Sequence, residues 1–92
     1  MVGVLHVELH LPNAQSLKGK RSVLKSLKDR LRGRFNVAVA EVEANELWQR
    51  ATVGIAAVAA DRAYVDRLLR EVVEWLKADR GIAIIRVDEE RY

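Results

Sequence analysis

Ninety-two residues suit one small domain with a single core and leave no room for a second. Half of them are apolar and 32% are charged, a globular composition that excludes a disordered chain, while the absence of cysteine excludes disulfides, zinc–thiolate sites and a cysteine nucleophile, and points to a reducing cytoplasm. The net charge of +3 hides an asymmetry: from Ser16 to Phe35, eight Lys or Arg face the single acid Asp29, and the remainder of the chain is acidic.

The opening MVGVLHVELHLP has no basic leader, so no signal peptide is expected, and no run approaches the roughly 20 apolar residues of a membrane span. From Val2 to Leu11, Leu5, Val7, Leu9 and Leu11 alternate with Val4, His6, Glu8 and His10, which predicts a half-buried strand ended by Pro12 and Asn13. Ser16 is placed to cap a helix whose Leu24, Leu27, Leu31 and Phe35 follow helical spacing, with Gly33 offering a left-handed cap near its end. Asn36 to Val42 and Gln49 to Ala59 read as two strands of a hairpin, with a polar tip from Glu43 to Trp48. Asp61 then caps a second helix, built on Val65, Leu68, Leu69, Val72, Val73 and Leu76. Its outer face carries Arg67 and Glu71, and Arg70 and Glu74, as opposite charges four apart, and Gly81 ends it. Ile82 to Val87 forms a last strand before a charged tail, DEERY. The order β-α-β-β-α-β predicts, over residues 1–92, one α+β domain of the ferredoxin-like kind: a four-stranded antiparallel sheet with both helices on one face and the first and third strands in the middle.

The first helix carries the strongest functional signal. At about 100° per residue, Arg21, Lys25, Lys28 and Arg32 fall in one lane, with Lys18 beside it. Like charges at these spacings repel, so helix stability alone does not favour them. Such a lane can follow a phosphate backbone and give salt-sensitive, sequence-independent affinity. Two other uses stay open: a solvated face whose long stems cover apolar surface, and contact with an acidic protein, for which Glu41, Glu43 and Glu46 of a second copy would serve.

Other patterns are weaker. Gly19, Lys20, Arg21 and Ser22 follow a strand as in a phosphate-binding P-loop, but Ala14 replaces its first Gly and Arg21 its magnesium-binding hydroxyl. His6, Glu8 and His10 share one side of a strand, yet the histidines are about 13 Å apart in extended chain and cannot close one metal site without ligands from a neighbour. The third strand, with Thr52, Val53, Gly54, Ile55, Ala56 and Ala57, lacks the stacking rings of an RNA-recognition module. Its small residues suit close approach of another surface, and a dimer packed through the sheet face is one use of it. Trp48 and Arg50 are the interface candidates, and Tyr64 and Trp75 are assigned to packing. With no Ser/His/Asp set, carboxylate pair or metal signature, neither an enzyme nor a cofactor or metal is expected.

Taken together, Ser16-Leu17-Lys18 followed by Lys20-Arg21, then Phe35-Asn36-Val37, Ala40-Glu41 and Leu47-Trp48-Gln49-Arg50-Ala51, make nearly the whole chain resemble the YlxP-like bacterial family, domain of unknown function 503. In that family an acid is common where Gly19 stands, so the reciprocal half of a capping box is missing here. The resemblance implies a ferredoxin-like fold and self-association, and brings no enzyme chemistry. It also implies a genomic neighbourhood of transcription termination, translation initiation and ribosome maturation. The expectation is therefore a cytoplasmic, non-enzymatic homodimer that meets structured RNA or the ribosome through Lys18, Lys20, Arg21, Lys25, Lys28 and Arg32. The alternative is a protein-interaction or small-ligand regulatory homodimer without a nucleic-acid role.

Overall fold

A computed structural model describes residues 1–43 and 46–92. Its elements are β1 (Val2–His10), α1 (Leu17–Arg34), β2 (Ala38–Glu43), β3 (Arg50–Val58), α2 (Arg62–Lys77) and β4 (Ala83–Arg91). The strands form one antiparallel sheet in the order β2-β3-β1-β4, so β1 and β3 occupy the middle, as right-handed crossovers require. This is the expected α+β, ferredoxin-like sandwich. Of the anticipated hairpin tip, Ala44 and Asn45 lie outside the described residues.

Alternation decides which face is covered. Leu5, Val7 and Leu9 of β1 and Val53 and Ile55 of β3 are fully buried, and they pack with Leu24, Leu27 and Leu31 of α1 and with Val65, Leu69, Val72 and Leu76 of α2 in one core. The helix α2 settles so closely on β1 that a Cβ on Gly3 would stand 2.6 Å from Val65 Cγ1 and 2.7 Å from Leu69 Cδ1. The opposite sheet face carries Val4, His6 and Glu8 beside Ala56, Gly54 and Thr52, their partners across β1 and β3.

Both helix starts follow the sequence reading. The Ser16 side chain accepts from the Gly19 N–H at 2.9 Å, so α1 is capped without an acid at Gly19, and Asp61 accepts from the Ala63 N–H at 2.9 Å. Both ends differ. Gly33 lies inside α1, and no described glycine has a positive φ. The helix stops instead where Phe35 turns extended, at φ −125° and ψ 149°, to set its ring edge-on to Trp75 with 6.2 Å between centroids. Likewise α2 ends at Lys77 rather than at Gly81; the Asp79 carboxylate then accepts from the Gly81 N–H and closes the turn. The pairs Arg67–Glu71 and Arg70–Glu74 do not form among the described residues: Arg67 lies over the Tyr64 ring, and Lys77 takes Glu74. The last strand runs on to Arg91, through most of what reads as a charged tail. A bulge between its pairings with Glu8 and Leu9 accommodates Ile85.

Candidate functional site

The basic lane forms on α1. Lys18, Arg21, Lys25 and Arg32 are exposed and Lys28 is half-buried, and at 1.5 Å of rise per residue they span about 21 Å of helix. Among the described residues, the side chains of Lys18, Arg21 and Lys28 have no hydrogen bond or ion pair. Lys25 donates to Asp29 Oδ2 at 2.8 Å, one turn on. That hydrogen bond and charge hold the Asp29 carboxyl below its ordinary pKa, with Arg32 and then Lys28 adding to the effect. Both partners are exposed, so the pair contributes little stability and is readily exchanged for another anion. Arg32 is held more firmly: its Nη2 donates to the Val39 carbonyl of the edge strand β2 at 2.6 Å, while Nη1 stands 3.7 Å from Asp29.

Lys20 leaves the proposed set of phosphate contacts. It is 3% exposed, its Nζ donates to the Leu47 carbonyl at 3.0 Å, and Glu41 Oε2 lies 3.8 Å away. The reason is its position. Lys20, Leu24, Leu27 and Leu31 stand at i, i+4, i+7 and i+11, so Lys20 continues the core stripe of α1 by one more turn. An ammonium there is aimed inward, and it straps the end of the β2–β3 hairpin to the helix. Gln49 reinforces the strap by donating through Nε2 to the Pro12 and Ala14 carbonyls, both at 3.2 Å, and the Leu11 N–H bonds the Gln49 carbonyl at 2.8 Å.

The interface candidates diverge. Trp48 is 53% and its neighbour Leu47 59% exposed, and the Trp48 ring makes no hydrogen bond or ring contact among the described residues. Arg50, in contrast, is engaged by its own chain, in an ion pair with Glu8 on the open sheet face. That pair also occupies the carboxylate between His6 and His10. The open face itself is mixed. On the β2–β3 side it is apolar and closely fitted: a Cβ on Gly54 would stand 2.6 Å from Val42 Cγ1, so Val42 lies over the glycine. On the β4 side Arg86 and Asp88 pair at 3.0 Å.

One feature of the helical layer was not anticipated. A groove of about 880 Å³ is lined by Phe35, Val73, Trp75 and Val87, with Arg34 and Arg67 among its charged residues. Close to it, Arg30 stacks over Trp75 and binds Asp79 at 2.8 Å. The aromatic residues were legible as packing, but the ring pair that joins the two helix ends leaves no periodic trace.

Two comparisons bear on this arrangement. A protein-family model described as "Protein of unknown function (DUF503)" matches residues 2–89. The chain is also 37% identical over 76 residues, 83% of each chain, to a Bacillus subtilis (strain 168) protein named "Uncharacterized protein YlxP". With the match running from the first strand into the last, the chain belongs to the DUF503 family, whose function is unknown.

Proposed function

We propose that the chain is a non-enzymatic cytoplasmic module that binds structured RNA, ribosomal RNA in particular, through phosphates laid along α1. The observation that carries this reading is the set of cations on one side of a capped helix, Lys18 and Arg21 exposed and Lys28 half-buried, whose side chains form no ion pair among the described residues, with Lys25 beside them in an easily exchanged pair. A phosphate reaching them displaces counterions and breaks no structural contact, which favours salt-steep binding with little base specificity. Arg32, with one donor on the Val39 carbonyl and a side chain 49% exposed, joins through its remaining N–H groups. The test is a titration of ribosomal RNA fragments at several salt concentrations with wild type and with an Arg21→Ala, Lys25→Ala, Lys28→Ala variant. The variant is expected to lose at least about tenfold in affinity at low salt and to flatten the log–log salt slope by about 2 to 3. Unchanged affinity would rule the reading out.

A second reading, a protein-interaction homodimer with no nucleic-acid role, is favoured by a separate observation. The adjacent Leu47 and Trp48, beside the hairpin, are 59% and 53% exposed, and an aromatic and aliphatic pair of this kind is a common interface anchor. Light scattering of wild type and Trp48→Ala, beside the RNA titration, separates the two.

A further inference from the structure

The hairpin end and α1 have opposite characters. Beside the hairpin the adjacent Leu47 and Trp48 are both more than half exposed, and two acids are exposed as well, Glu46 next to Leu47 in sequence and Glu43 at the end of β2. On α1, Arg21 and Lys28 have no carboxylate partner among the described residues. We infer that a second copy of the chain sets its hairpin end against the cation lane of α1 and receives the same contact in return, so that the protein covers its own basic surface. This rests on the homodimer reading and gives that dimer its contact.

Three observations support it. The first is complementarity. The carboxylates of Glu46 and of Glu43, which holds only an exposed 3.3 Å bond from Thr52 Oγ1, match Arg21 and Lys28, which form no ion pair among the described residues, and a guanidinium over the Trp48 ring adds a cation–π contact. Leu47 and Trp48 supply the apolar burial that exposed ion pairs alone do not. The second is rigidity. The Lys20–Leu47 bond and the two Gln49 bonds fix Leu47 and Gln49 against the first turn of α1 and the loop before it, so the two patches sit side by side on one body. A two-fold contact needs that arrangement, because each patch must meet its counterpart at once. The third concerns the alternative occupant. A nucleotide stacked on Trp48 would carry its phosphate past Glu43 and Glu46, which repel it, whereas a basic protein surface is attracted.

Of the homodimer reading only the dimer is needed here; were the lane also to meet RNA, as in the first reading, dimer and RNA complex would exclude each other. Self-association would then set how much of the basic helix is open to a polyanion.

The test is a charge exchange read by sedimentation velocity, with circular dichroism to confirm folding. One variant carries Glu43→Lys and Glu46→Lys, the other Arg21→Glu and Lys28→Glu; all four positions are exposed or half-buried, so the fold is expected to persist. Wild type should be a dimer that loosens as salt rises. Each variant alone should be monomeric, since like charges then face each other in both contacts, and an equimolar mixture should recover the dimer, since both contacts regain opposite charge. A third variant, Trp48→Ser, leaves every charge in place and should weaken dimerisation at least tenfold. Wild type that stays monomeric at all concentrations and salts would sink the homodimer reading and this proposal together. A wild-type dimer that persists in both charge variants, or folded variants that fail to associate when mixed, would overturn the hairpin contact alone and pass the interface to the open sheet face. Should the charge variants fail to fold, an unchanged dimer in Trp48→Ser at high salt would overturn it equally.

Discussion

Replacing Lys20 with methionine keeps most of the side-chain stem and removes the ammonium. The Leu47 carbonyl and the Glu41 carboxylate then lose a charged donor that is almost wholly buried, its side chain 4% exposed. A hydrogen bond from a charged group contributes about 1.5 to 3 kcal/mol. The Glu41 contact adds little, because at 3.8 Å it is beyond hydrogen-bond distance and the carboxylate is 32% exposed. Methionine in turn recovers part of the loss by avoiding the cost of burying a charge. The net expectation is a destabilisation of about 1 to 2 kcal/mol, which for a domain of this size lowers the melting temperature by roughly 4 to 16 °C. Lys20→Ala should cost more, since the packing of the stem goes as well. Urea and thermal unfolding give the stability, and the RNA titration on the same samples separates roles: a strap changes stability and leaves the salt slope alone, whereas a phosphate contact flattens the slope by about one. A Lys20→Met protein as stable as wild type, with a flattened slope, would refute the assignment of Lys20 to the scaffold.

Two glycines should respond in opposite directions. Gly33→Ala, inside α1 with nothing within 4 Å of the added methyl, should stabilise by about 0.5 to 1 kcal/mol, whereas Gly3→Ala forces a methyl onto the fully buried Val65 and Leu69 and should cost about 1 to 3 kcal/mol; urea midpoints showing the two to be equivalent would contradict the described packing. Acid should weaken the fold through Asp29, Asp66 and Asp79. Hydrogen bonds from Lys25 and Arg91 hold the first two carboxyls below their ordinary value, while at Asp79 burial pushes upward and is outweighed by Arg30 and the Gly81 N–H. Groups whose folded pKa is depressed give their full stabilisation above the unfolded value of 3.8 and lose it as pH falls through the lower folded values. The melting temperature should therefore drop below about pH 4. Arg91→Met, which removes the 2.7 Å bond to Asp66, should shrink that drop, and an unaltered acid limb would count against the pairing.

The sheet and its order were legible because each strand repeats a local rule. Leu5, Val7 and Leu9 alternate with His6 and Glu8, and Ser16 and Asp61 are cap residues at the right distance from an apolar stripe. What escaped was set by contacts remote in sequence. Gly33 satisfies every local condition for a helix end, yet Phe35 ends α1 because Trp75, forty residues on, receives its ring. Asp88 to Arg91 read as a tail because charges dominate, but β4 is an edge strand that water reaches, and Arg91 finds Asp66 across the sheet–helix layer. The lane was visible in outline, and Lys20 was misplaced by its charge. Its spacing from Leu24, Leu27 and Leu31 already assigns it to the core, and the Leu47 carbonyl, with Glu41 nearby, helps to make an ammonium tolerable there.

Arg32 gives the cation lane an unequal pair of ends. Its bond to the Val39 carbonyl props the last turns of α1 against the sheet's outermost strand and occupies an acceptor that a foreign strand would otherwise seek. A polyanion that drew the whole Arg32 guanidinium off Val39 would undo that brace, baring backbone on β2 while it gained a charge contact. Ligands confined to the first half of the helix leave the margin of the sheet guarded, and longer ones that pull on Arg32 would open that margin to pairing.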